Sequence, residues 1–345
     1  MADALKIRWG SVVDILFQDA RMVVQVFLVS AGYLVARSLQ SKKIISPLSM
    51  ILRRYLRLLP SYGVALVLTV LAAKLMRHPI DSFALQQGSE SWLPSEPSWL
   101  KFIGHLFFLQ NILQIDALTV GVWYVAIDLQ LFITTIVILW ALNAIRAKNF
   151  LYAHYFVFSA LCVSSFWFFN LKPDLDDYAV YFFGAYGLGL LAFWASEQRL
   201  ALGVFIFTLT LALGSFVYEP RARVLIAVVS SICFYFSTRL KSSETFTSKG
   251  KFIHLLSNSS YALFLNHFAV IIMLSGIWFY LKLESEEIAW FFIAVGCVLS
   301  FVYSLFLYQY LEKPLVGLLM RVMKQMHQMH QGHQINKVER VIKSG

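Results

Sequence analysis

Residues 120–145 read Val-Gly-Val-Trp-Tyr-Val-Ala-Ile-Asp-Leu-Gln-Leu-Phe-Ile-Thr-Thr-Ile-Val-Ile-Leu-Trp-Ala-Leu-Asn-Ala-Ile, an apolar run broken by a single acid, Asp128. As a helix rising about 1.5 Å per residue, a run of this length exceeds a bilayer core of about 30 Å. Helix is the default, because backbone groups cannot go unpaired in lipid. Eight more apolar runs follow the same logic, at 22–39, 59–76, 150–170, 178–196, 200–218, 221–238, 258–281 and 287–311. They are continuous, not alternating ten-residue segments, which argues against a β-barrel.

Composition agrees. Of 345 residues, 59% are hydrophobic, only 14% are charged and 30 are Phe, with a mean hydropathy of +0.67. A soluble domain carries about 25% charge. Too little polar surface is present to keep this chain in water, and the same figures exclude disorder, collagen, a coiled coil and a secreted disulfide scaffold. The expectation is an all-α, polytopic membrane protein with about nine transmembrane helices. Cys162, Cys233 and Cys297 lie inside apolar runs and read as small hydrophobes, with no disulfide framework or metal site.

The net charge of +10 belongs to the loops rather than to a nucleic-acid partner, because Lys and Arg accumulate on the cytoplasmic side. Connection 37–57 holds six bases and no acid, whereas 77–119 holds Arg77 and Lys101 against four acids. Loops 146–149 and 239–251 are basic, and 171–177 and 282–287 are acidic. This alternation places the C-terminus in the cytoplasm. Arg221 and Arg223, at an outer turn, do not fit it. Residues 1–20 contain Asp3, Lys6, Arg8, Asp14 and Asp19, so they form neither a signal peptide core nor a span. The organisation expected is an extramembrane segment at 1–20, a transmembrane domain at 21–318 and a basic cytoplasmic tail at 319–345. Nine crossings leave the N-terminus outside, one helix short of an even count.

Ionisable groups within spans are costly and are functional candidates by default. Asp128 is one. Trp123, Ile127 and Gln130 share a helical face, and Tyr124 and Asp128 share the neighbouring one. His267, beside Asn266, is the second. Counted from the ends of their runs, Asp128 lies roughly 12 Å from the outer surface and His267 roughly 13–14 Å from the inner one, so contact is allowed if their helices are neighbours. Bland roles as interhelical glue compete for each residue taken alone. The third feature is Arg53-Arg54-Tyr55-Leu56-Arg57. Arg54 and Arg57, three apart, project together as a donor array suited to phosphate oxygens at a cytoplasmic helix mouth, or serve as positive-inside anchors. A weaker run at 101–114 is too short to span and is assigned to the interface.

Other motifs read more plainly. Glu312-Lys313-Pro314 looks like a helix stop. Gly184, Gly187 and Gly189 suit close helix packing. Trp92, Pro94, Pro97 and Trp99 make the outer loop a candidate aromatic lid or sugar platform. His327, His330 and His333 recur every three residues but have no acid or Cys beside them to complete a metal site.

Taken in order, Phe27-Leu-Val-Ser-Ala-Gly-Tyr-Leu34, Arg53-Arg54-x-x-Arg57-Leu-Leu-Pro60, Trp123-Tyr-Val-Ala-Ile-Asp128-x-Gln130, Ser260-Tyr-Ala-Leu-Phe-Leu-Asn-His267-Phe and Glu312-Lys313-Pro314 resemble the acyltransferase-3 family of bacterial membrane acyltransferases. The resemblance runs from about residue 20 to 318. It implies ten core helices, a place in the bacterial inner membrane, and transfer of an acyl group, commonly acetyl from acetyl-CoA, to a hydroxyl of a cell-envelope or exported carbohydrate. Acyl-CoA would be a donor substrate, and no bound cofactor is implied. Arg54 and Arg57, with Arg53 alongside, match the pair expected to bind the donor. Asp128 stands where many members have Glu, and His267 matches the His of the late motif. Trp123, Tyr124, Gln130 and Asn266 are the expected substrate neighbours. The family's first helix carries a His regarded as the base. No His precedes His78 here, which gives the expectation that Met1 is internal to a longer frame, that the first helix is missing, and that His267 is the one buried base available.

Two rival readings remain. A proton-coupled transporter or flippase of a lipid-linked sugar would use Asp128 and His267 as coupling groups and would show internal repeats, of which the sequence has none. A catalytically dead scaffold would differ from an enzyme in failing to bind donor.

Overall fold

A computed structural model describes residues 22–40, 46–145, 152–238 and 248–325, with the side chains of 248–254 and 258 outside that description. Segment 1–20 and the histidines of the tail therefore lie outside the described residues. Among the described residues there is no strand. The helices are α1 Val24–Leu39, α2 Pro47–Gln86, α3 Trp99–Leu106, α4 Val122–Ala144, α5 Ala153–Ser164, α6 Ala179–Glu197, α7 Arg199–Tyr218, α8 Ala222–Ser237, α9 Ser248–Tyr280 and α10 Glu286–Leu307. Within the described residues, each of the nine long apolar runs read from the sequence is largely helical. Six regions are long and apolar enough to cross a membrane: α2, α4, α6, α7, the Ser259–Tyr280 part of α9, and α10 with its continuation to Gln325. The remaining three, α1, α8 and Ala153–Phe169, are shorter apolar helices.

α6 is the hub of one half of the bundle. Its Tyr181–Phe193 stretch is buried, and α1, α5, α7 and α8 pack around it. The glycines are what permit this. A Cβ on Gly32 would collide with the Tyr186 carbonyl, and one on Gly189 with the Val29 carbonyl, so α1 and α6 cross backbone to backbone. Gly184 faces the Phe166 ring and Gly187 the Cys162 sulfur. The second half is built on α2, α9 and α10, and α4 bridges the two halves.

Contacts along α2 give the helix directions. Tyr261 OH donates to the Leu58 carbonyl at 3.1 Å, Gly276 abuts Met76, and Phe279 stacks on Phe83 at 4.1 Å, so α9 runs parallel to α2. Asp128 meets Arg54 while Thr119, just before α4, meets Thr69 at 3.0 Å. α4 is therefore antiparallel to both.

Segment 99–121, which holds the weaker run 101–114, packs in part along α2, with Ile103, Phe107, Ile112, Leu113 and Val120 exposed. Tyr55 OH donates to the Leu106 carbonyl at 3.0 Å. Phe108 is buried, its ring 4.3 Å from that of Tyr62 and 5.6 Å from that of Tyr55. Since Tyr55 precedes Gln86 by about 46 Å of helix, the connection travels back along α2 almost to its start before α4 begins. Buried polar groups hold it there. Gln110 Nε2 donates to the Val122 carbonyl at 3.2 Å, and Gln130 Nε2 reaches the Phe108 carbonyl at 3.5 Å. His105 Nδ1 contacts the Lys101 carbonyl at 2.7 Å, so it carries the proton, and Nε2 accepts from Leu118 N–H at 3.1 Å. The ring must be neutral to make both bonds. Gly121, at φ 92°, makes the left-handed turn into α4 against the Phe264 ring.

Two further departures concern charge. Arg221 and Arg223, which do not fit the loop alternation, are consumed within the protein. Arg221 donates to Asn170 Oδ1 at 2.5 Å and to the Phe166 carbonyl at 3.1 Å, and Arg223 donates to Tyr181 OH. Arg221 closes the widened turn Ser165–Phe169 that ends α5, where free carbonyls favour cations. Glu312-Lys313-Pro314 is also no stop. A π-turn at Tyr308–Glu312 follows α10, and helix continues to Gln325. The π-turn already interrupts the regular i→i−4 ladder, so the missing N–H of Pro314 breaks little.

Two outcomes test this packing. Gly189→Ala will destabilise the protein by about 1–3 kcal/mol through overpacking, whereas Gly203→Ala, where a Cβ meets nothing within 4 Å, will be neutral or slightly stabilising; thermal unfolding in one detergent compares them. Burial lowers the His105 pKa, with nearby Lys101 adding to the effect against the Lys101 carbonyl bond. Its contribution is thus complete above the ordinary imidazole pKa of about 6.5 and is lost as pH falls below it. Protonation forfeits the bond from Leu118, at a cost of about 1–3 kcal/mol. Amide protection factors over 101–118, corrected for the intrinsic pH dependence of exchange, will fall between pH 7 and 5, and His105→Gln will abolish that fall.

Candidate functional site

The three candidate groups are brought together in part, and not in the expected pairing. Arg54 Nη2 lies 2.6 Å from Asp128 Oδ2. Asp128 is 6% exposed, whereas the Arg54 side chain keeps 23% of its surface open. Phe132, one turn beyond Asp128, lies under the guanidinium at 4.5 Å, a favourable cation–π placement. Tyr124 and Tyr186 are within electrostatic reach of the pair. The site therefore forms where α2, α4 and α6 meet.

This contact corrects the depths read from run ends. A carboxylate roughly 12 Å below the outer surface and a guanidinium at the cytoplasmic mouth cannot touch. The return of segment 99–121 along α2 resolves the conflict, because the first residue of α4 is already deep in the bundle. The Arg54/Arg57 fork is corrected too. The two side chains diverge, Arg54 to Asp128 and Arg57, exposed, into the field of Glu312. Arg53 is exposed. Glu312 is buried and accepts from Ser61 Oγ.

His267 does not reach Asp128 through any hydrogen bond. α4 and α9 meet where the rings of Tyr124 and Phe264 sit 5.3 Å apart. From that crossing Asp128 lies four residues along α4 and His267 three along α9. The helices are antiparallel, so the two groups move apart by roughly 10 Å along the axes. His267 Nδ1 is 3.2 Å from the Leu263 carbonyl of its own helix. A carbonyl only accepts, so Nδ1 bears the proton and Nε2 the lone pair. Asn266 is fully buried and its Nδ2 donates to the Ala262 carbonyl at 2.9 Å.

The other sequence candidates have structural neighbours. Trp123 packs against Phe182 at 5.7 Å and Tyr124 at 6.3 Å. Gln130 holds Phe108 as described above. In the connection after α2, Trp92 meets Phe268 edge-on at 6.2 Å and Trp99 is exposed, while Leu93 is buried against Ala72, Ala73, Ile80, Ala269 and Ile272, so the connection covers the groove between α2 and α9. Sequence reasoning missed Ser61, Tyr62, Tyr186 and Glu312. A signal existed for Glu312 alone, as an acid inside an otherwise apolar helix.

Polar atoms complete the picture. Among the described residues, Arg54 Nε and Asp128 Oδ1 are buried without hydrogen-bond partners, as is Asn266 Oδ1. Such groups are rare in folded interiors.

Compared with known proteins, the chain matches the family model described as an acyltransferase domain, Acyl_transf_3, over residues 5–309. No curated protein and no solved structure matches it. The family match spans most of the sequence and both halves of the helical bundle, and on that ground the chain belongs to the acyltransferase-3 family and is a multi-pass membrane acyltransferase.

Proposed function

We propose that this enzyme moves an acyl group, commonly acetyl, from acyl-CoA to a hydroxyl of a cell-envelope or exported carbohydrate, in the bacterial inner membrane with its C-terminus in the cytoplasm. The observation that carries the reading is the buried Arg54–Asp128 pair with two bonding positions open, inside a chain of this family. A charged pair in an apolar interior contributes little net stability, and its presence favours a task in binding.

Roles follow from the geometry. Arg57 and Arg53 are exposed cations at the start of α2 and suit the donor's phosphates. Arg54 is committed to Asp128, so it serves the part of a ligand that enters the bundle. His267 Nε2 is the proton acceptor, held in the right tautomer by the Leu263 carbonyl. It would take the proton of the acceptor hydroxyl as that oxygen attacks the thioester carbon. The C–S bond then breaks, and the CoA thiolate receives the proton back. Trp123, Tyr124, Gln130 and Asn266 line or brace this space. Asp128 is too far along α4 to orient His267, which sets this site apart from an imidazole–carboxylate arrangement.

The test is mass spectrometry of envelope glycans from cells with and without the gene. One acyl-sized mass difference is expected. In the same cells His267→Gln, at unchanged protein level, will reduce that modification by about 10²–10⁴-fold. Full modification by the variant would remove His267 from the chemistry.

A further inference from the structure

α10 has 22 residues, about 33 Å of helix, and by itself spans a bilayer core of about 30 Å. The helix that continues from it over 313–325 is surplus to the crossing. Packing tells where that surplus emerges. Trp278 meets Phe292 at 5.5 Å and Gly296 faces Leu274, so α10 runs antiparallel to α9 and hence to α2. Because Ser61 donates to Glu312, the part of α2 before Ser61 and the extension after Glu312 leave the bundle on the same side.

The extension has three faces. Glu312 and Met323, three turns apart and therefore on one stripe, are buried at 9% and 8% exposure and fix which way the helix turns. Leu315, Leu318 and Val322, spaced as a second stripe, are exposed at 40%, 54% and 42%. Lys313, Arg321 and Lys324 share the remaining face and are exposed. Among the described residues none of these three bases makes an ion pair. The helix dipole does not account for them, since it acts only over the last turn and Lys313 lies three turns earlier.

An apolar stripe beside a basic one suits a helix lying at the boundary between acyl chains and headgroups. Standing in water, the extension would leave its apolar stripe uncovered. Against neutral headgroups its three bases would go unmet, whereas anionic headgroups attract them. We propose that 313–325 is a docking surface for anionic phospholipid, with Leu315, Leu318 and Val322 at the acyl-chain boundary and Lys313, Arg321 and Lys324 on the headgroup phosphates. Exposed Leu48 and Leu52, on α2 before Ser61, extend the apolar rim on the same side. The surface uses none of the residues given to acyl transfer, so it stands or falls apart from that reading.

The experiment uses the full chain carrying Cys233→Ser, Cys297→Ser and Leu318→Cys, with a fluorophore on the introduced thiol. Nanodiscs contain equal parts of phosphatidylcholine and phosphatidylglycerol, and a nitroxide quencher is placed on the one lipid or the other in turn. The ratio of the two quenching strengths reads the local preference between headgroups at residue 318. One base meeting one anionic headgroup predicts a preference for phosphatidylglycerol of about fivefold or more. The preference will vanish in the combined Lys313→Gln, Arg321→Gln and Lys324→Gln variant. It will also collapse in about 1 M salt, where charges are screened beyond about 3 Å, and this second reading serves if the combined variant does not fold. Equal quenching by the two lipids would mean an apolar contact without choice of headgroup, and no quenching by either would mean a helix in water. Either result would overturn the proposal, as would a preference that survives the substitutions in folded protein.

Discussion

A charge taken into an apolar interior must be met by another, and in this protein Asp128 is met by Arg54 across the junction of α2 and α4. Isolated, either ion would cost several kcal/mol. Pairing removes most of that cost only if both helices hold their register, so the contact locks α4 antiparallel to α2. That lock requires the preceding chain to descend alongside α2. Phe108 between Tyr55 and Tyr62, the doubly bonded His105 ring and the left-handed turn at Gly121 all serve that descent.

The rest of the bundle supports this junction from behind. α6 supplies Tyr186 near the pair and is itself held by backbone contact with α1 through Gly32 and Gly189. On the other side α9 follows α2 in parallel, brings Tyr261 to the Leu58 carbonyl, and carries His267 away from Asp128. Glu312, placed by the π-turn against Ser61, ties the end of α10 into the same neighbourhood.

Much of this was legible in the sequence. Each of the nine long apolar runs became largely helical within the described residues, because length and hydropathy are local properties that lipid enforces. The isolated acid in 120–145 and the basic cluster at 53–57 were legible as well, because charge in such surroundings is conspicuous. What was not legible was which charge meets which. Depth counted from run ends did not anticipate the Asp128–Arg54 contact, since it assumes that loops stay outside, and nothing in the composition of 99–121 announces that His105, Phe108, Gln110 and Leu118 are buried. Arg221 and Arg223 misled the loop count because they bond within the protein, Arg221 to a carbonyl and an amide oxygen and Arg223 to the Tyr181 hydroxyl. Pro314 suggested a stop only because a π-turn leaves no mark in composition.

The most direct measurement is a double-mutant cycle on the pair, with Arg54→Met, Asp128→Leu and the combined variant compared by thermal unfolding in one detergent. If the two side chains neutralise each other as described, each single change strands a buried charge and the combined variant will be less destabilised than the sum of the two, with a coupling of about 1–3 kcal/mol. Additive losses, within about 0.5 kcal/mol, would mean that the two charges do not meet and would contradict the account.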